Sequence, residues 1–100
     1  MKGNTLGEFI DDILISGGPE KEFVFRDKYY FLEANYKTKD TVELRIDEYV
    51  RREDDASNYL KSYSFIGKDL YECVNKFESA KIFKGLNIYE AESEIEVLYG

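Results

Sequence analysis

The chain has no histidine and no tryptophan, and only one cysteine, one proline and one methionine in its 100 residues. Each absence removes chemistry. Without histidine there is no imidazole base, no Ser–His or Cys–His nucleophile pair, and none of the commonest transition-metal ligand. Cys73 stands alone, so no intramolecular disulfide can form and nothing marks a secreted disulfide scaffold. It falls on an apolar stripe with Leu70 and Val74. That setting belongs to a buried structural thiol, since a reactive one needs a basic, open environment. No phosphate cradle of the G-x-x-x-x-G-K-[ST] or G-x-G-x-x-G kind occurs, because Gly17-Gly18 runs into Pro19-Glu20. The segment from Met1 to Thr5 lacks a basic region followed by an apolar one, and no apolar run approaches the length of a membrane span. These absences give the expectation of a cytosolic, non-enzymatic protein with no catalytic residue, no metal site and no cofactor.

What the chain does have is acid and aromatic surface. Its net charge is −7, and nine tyrosines and seven phenylalanines make up 16% of it. This acidity repels nucleic-acid phosphates and anionic membranes, and it suits either a basic protein partner or plain solubility. One hundred residues make one domain, 1–100, with enough surface to bury a modest core. Residues with AT-rich codons (Phe, Tyr, Ile, Asn, Lys) outnumber Gly, Ala, Arg and Pro, which is the bias of low-GC bacteria, their phages and mobile elements.

Three consecutive strands are predicted at 22–26, 29–36 and 41–50, joined by Asp27-Lys28 and by 37–40. Val42, Leu44 and Ile46 alternate with Glu43, Arg45 and Asp47, so the third strand has one buried and one wet face. A meander with one apolar face cannot stand alone in water and must be covered. Leu6, Phe9, Ile10, Ile13 and Leu14 supply a complete helical stripe over 5–16, capped by Asn4 or Thr5 and ended by Gly17-Gly18-Pro19. Residues 69–79 predict a second helix, with Asp69 as cap and Leu70, Cys73, Val74 and Phe77 buried. Residues 59–66 fit a fourth strand, with a short helix over 57–63 as the rival. A short helix over 87–94 and a closing strand over 95–99 stay open. The expected fold is therefore α+β: a three- to four-stranded antiparallel meander packed against an N-terminal and a C-terminal helix. Residues 65–72 and 83–90 also echo each other as F-x-G-x-[DN]-[LI]-Y-E, a turn-cap-helix chemistry used twice.

Two features carry the functional expectation. Glu90, Glu92, Glu94 and Glu96 would, on an extended strand, point the same way roughly 6.6 Å apart. No Lys or Arg follows Gly85 to neutralise them. Such a row imitates phosphates and suits a basic groove. A solvated edge that resists strand pairing is the plainer account of the same residues. Glu53, Asp54 and Asp55 add a second acidic run, which lacks the ligand spacing and glycine of a calcium loop. The other feature is tyrosine, with Tyr29, Tyr49 and Tyr63 assigned to the outer sheet face, where such side chains favour protein contacts. The expectation is a protein-binding module: an acidic, DNA-mimicking inhibitor from a phage or mobile element, covering a basic surface of a host protein through Glu90, Glu92, Glu94, Glu96, Glu53, Asp54 and Asp55. The alternative is a self-associating module, a homodimer built on an aromatic sheet face.

Overall fold

The computed structural model describes residues 1–16 and 20–100. The expected helix stop at Gly17-Gly18-Pro19 lies outside the described residues. Helix α1 spans Leu6–Ser16. Thr5 caps it, its Oγ1 accepting from Glu8 N at 3.2 Å and its carbonyl from Phe9 N at 2.9 Å. Leu6, Phe9 and Ile13 are buried, as the stripe requires.

Five strands follow: β1 Glu20–Phe25, β2 Lys28–Thr38, β3 Thr41–Tyr49, β4 Lys61–Gly67 and β5 Ile95–Tyr99. They form a sheet in the order β4-β3-β2-β1-β5, antiparallel throughout. The fold is thus α+β, and the closing strand exists, added beside β1. Lys2 extends that edge, its N–H bonding Ile95 O at 2.9 Å and its carbonyl accepting from Val97 N at 2.8 Å.

Helices α2 (Leu70–Ser79) and α3 (Ile88–Ala91), the latter continued by a 3-10 turn at Glu92–Glu94, lie between β4 and β5. Asp69 caps α2, accepting from Glu72 N at 2.9 Å. Asn87 and Glu90 form a reciprocal capping box on α3, at 2.9 and 3.0 Å. Both copies of the sequence echo therefore lead through a cap into a helix, the first from the end of β4 and the second from a turn. Their glycines differ in role. Gly85 is left-handed (φ +83°), whereas a Cβ on Gly67 would sit 2.6 Å from Glu72 Cβ.

The core lies on one face of the sheet. Phe23, Phe25, Tyr30, Leu32, Val42, Leu44 and Ile46 meet Leu6, Phe9 and Ile13 from α1, with Cys73, Val74, Phe77, Phe83 and Ile88 from the C-terminal segment. Phe83, in the connection between α2 and α3, packs against Phe23, Phe25, Tyr30 and Phe77. Cys73 is buried as expected, its thiol donating to Val42 O at 3.3 Å, and burial pushes that thiol up.

Three expectations change. The β1–β2 turn is Arg26-Asp27, one residue earlier than expected, with Arg26 left-handed (φ 54°). The fourth strand expected over 59–66 is present as Lys61–Gly67 in place of the rival helix, because β3 offers a ladder and Phe65 and Tyr63 reach the core. Tyr63 consequently lies opposite Ile46 on the core side rather than on the outer face. The outer face of β3 is not wet. Glu43 is 9% and Asp47 7% exposed, because Asn35, Lys37 and Ser64 cover the first and Arg45 the second.

Candidate interaction face

The sheet register sorts charge by face. Opposite the helices lie Glu20, Glu22, Glu33, Glu43, Asp47 and Glu96, against Lys37 and Arg45 as the only strand-borne cations there among the described residues. The alternation that buries Phe23, Leu32 and Leu44 places these carboxylates on the other side. Four of them are matched within 4 Å. Glu22 meets Arg52 at 3.1 Å, Glu43 meets Lys37 at 3.3 Å, Asp47 meets Arg45 at 2.9 Å and Glu96 meets Lys2 at 3.8 Å. Glu20 and Glu33 face each other across β1 and β2 instead, a like-charge pair that costs stability.

Aromatic rings share this face. Tyr29 and Tyr49 are cross-strand partners with ring centroids 5.8 Å apart. The β3–β4 loop folds over them, held where Tyr49 OH donates to Ala56 O at 2.9 Å. Tyr29, Phe31, Tyr49, Arg52, Asp54 and Ala56 enclose a cleft of about 150 Å³. At its mouth the Glu22 carboxylate accepts from Tyr29 OH and from Arg52 Nη2. The Tyr29 hydroxyl and then the Arg52 guanidinium hold Glu22 below the usual glutamate value. Burial, reinforced by Glu22, raises Tyr29. Glu43 is likewise lowered, first by the Ser64 hydroxyl and then by Asn35 and Lys37.

The expected row of Glu90, Glu92, Glu94 and Glu96 does not form. Asn87 caps α3 and draws Glu90 into the capping box, so the segment enters a helix and reaches extended backbone only at Ile95. The cations absent from the tail in sequence arrive through tertiary structure. Glu92 lies 3.6 Å from the Met1 amine, Glu94 forms a two-bond fork with Arg26, and Glu96 pairs with Lys2. The loop run is also engaged. Arg51 lies 3.8 Å from Glu53 and 3.5 Å from Asp54, and Asp55 accepts from Ser57 N and Oγ at 3.0 Å. Of these seven carboxylates only Asp54 lines the cleft.

Comparison with protein-family models, curated proteins and solved structures found no match. Among the described residues no three His, Cys, Asp or Glu side chains are placed to hold a metal, and no helix is long and apolar enough to cross a membrane.

Glu20, Glu22, Arg52 and Ala56 are the face residues that sequence reasoning missed. The signal for two of them was present. Glu20, Glu22 and Val24 alternate with Lys21, Phe23 and Phe25, but Lys21 at an apolar position hid the true start of β1. No local pattern marked Arg52 or Ala56, because a loop's resting place is decided by what it meets.

Proposed function

We propose that this protein is a non-enzymatic binding module that engages a basic surface of a protein partner through the helix-free face of its sheet. In its most specific form the module is an acidic inhibitor that covers the nucleic-acid-binding surface of a host protein. One observation carries the reading: six strand carboxylates and an aromatic cleft share a face with two strand cations. Acid of one sign steers a basic partner, and Tyr and Phe supply buried contact area at the centre of such a patch. Glu20 and Glu33 make no ion pair among the described residues, whereas Glu92, Glu94 and the loop carboxylates are engaged within the molecule. Contact is therefore assigned to the sheet face through the first two, and long-range attraction to the others.

The test is a partner captured from the natural host's lysate and then purified, with its affinity measured against salt. Affinity is expected to fall steeply as salt rises, and Glu20→Lys is expected to weaken it more than Glu92→Lys does. Salt-insensitive binding, or equal effects of the two substitutions, overturns the assignment.

A second reading, self-association, is favoured by Val50, Tyr59 and Leu60, which stay exposed in the connection between β3 and β4. Two copies at −7 repel, so a dimer formed this way strengthens with salt, the opposite of a basic partner. Sedimentation at low and high salt separates the two.

A further inference from the structure

Taking the helix-free face as the contact surface, we propose that its cleft is a socket for an arginine side chain of the partner, and that Arg52 is an internal stand-in which the partner displaces. The cleft already keeps one guanidinium at its edge. Arg52 reaches across its rim and donates from Nη2 to Glu22 at 3.1 Å, beside the Tyr29 hydroxyl that donates to the same carboxylate. A guanidinium is planar and weakly hydrated, stacks on aromatic faces and bonds carboxylates at its edge. The walls supply Tyr29, Phe31 and Tyr49 as faces, and Glu22, bonded to the lining residues Tyr29 and Arg52, supplies the acceptor beside them. Elsewhere the chain uses the same chemistry on itself. The Arg26 guanidinium lies 4.8 Å from the Phe25 ring centre and that of Arg45 lies 5.3 Å from that of Tyr59. About 150 Å³ matches the size of cavity that accepts one benzene-sized group.

Arg52 is suited to displacement. Its side chain is 54% exposed, and an exposed ion pair contributes little to stability. The loop does not depend on it. Tyr49 OH holds Ala56 O, and Arg51 N and Asp54 close a turn through bonds of 3.0 and 3.2 Å. Removing the Arg52 side chain therefore takes away one lining group and frees the Glu22 carboxylate, leaving Tyr29, Phe31, Tyr49 and Ala56 in place.

The probe is N-acetyl-arginine amide, titrated while the ring protons of Tyr29, Phe31 and Tyr49 are followed by NMR. Arg52→Ala is expected to bind it about fivefold more tightly than the parent, the worth of one exposed ion pair. Adding Glu22→Gln is expected to remove that gain, with a thermal melt confirming the fold. The neutral analogue N-acetyl-citrulline amide is expected not to bind. Unchanged affinity in Arg52→Ala, equal binding of the citrulline analogue, or shifts confined to other rings overturns the socket. A partner whose affinity falls with Glu20→Lys but ignores Glu22→Gln overturns the socket alone and leaves the contact face standing.

Discussion

Arg26 and Glu94, 68 residues apart in the chain, are joined fork to fork, Nε to Oε1 and Nη2 to Oε2, both at 2.9 Å. The guanidinium holds the Glu94 carboxyl below its ordinary value of 4.5. Arg26→Gln is expected to return Glu94 to an ordinary titration, read by carboxyl-carbon NMR. Glu94→Lys, which sets two cations together at the β1–β2 turn, is expected to lower the melting temperature.

Leu44 and Arg45 test the sheet itself. Leu44 is fully buried between Ala34 and Phe65, so Leu44→Ala is expected to cost about 2–5 kcal/mol and Leu44→Asp to prevent folding. Arg45→Ser is expected to fold, with a modest loss from leaving Asp47 unpaired. Arg45→Asp is less benign than strand alternation alone implies, because it would face Glu33 across the ladder and lie beside Asp47. Urea titration orders the four variants.

The two echoed caps make a matched pair. Asp69→Ala and Asn87→Ala are each expected to cost about 1 kcal/mol in chemical denaturation, since each strands a helix N–H. Asn87→Ala also dissolves the capping box with Glu90, so it should cost at least as much although α3 is far shorter than α2.

Acid stability follows from Glu22 and Glu43, whose folded values lie below their ordinary 4.5. The folded state then binds fewer protons than the unfolded chain, so their contribution is complete above pH 4.5 and is lost as pH falls through the lower folded values. Ser64→Ala and Tyr29→Phe, which remove the leading hydrogen bonds, are expected to flatten this acid loss in melts recorded against pH.

Lys21 is 2% exposed, over the Phe9 ring and bonded to Gly100 O at 3.0 Å, with Asp12 at 3.6 Å. Burial outweighs Asp12 and lowers its value below 10.5. Stability therefore rises with pH between the folded value and 10.5, where the unfolded chain holds the extra proton. Lys21→Met is expected to be neutral or stabilising at pH 7 and to abolish that rise. A large destabilisation at pH 7 would mean that the ion pair, not the packing, holds α1 to β1.

Most elements were legible because their signals are local. A helix stripe repeats every three or four residues, a strand alternates every second, and a cap bonds three residues ahead, so Leu6–Ser16, Thr41–Tyr49 and the Asp69 and Asn87 caps follow from neighbours in the chain. Boundaries slipped where one residue broke the pattern, as Lys21 did in β1.

The sequence by itself determined which residues of α1, β3 and α2 face the core and that the chain is acidic, because periodicity and composition depend on nothing distant. Only the tertiary structure decided that β5 closes beside β1, that Lys2 and Arg26 meet the tail glutamates, and that the β3–β4 loop roofs Tyr29 and Tyr49. Those outcomes depend on strand order, which brings together residues tens of positions apart. Whether a carboxylate is free or already paired is set by what lies across the fold.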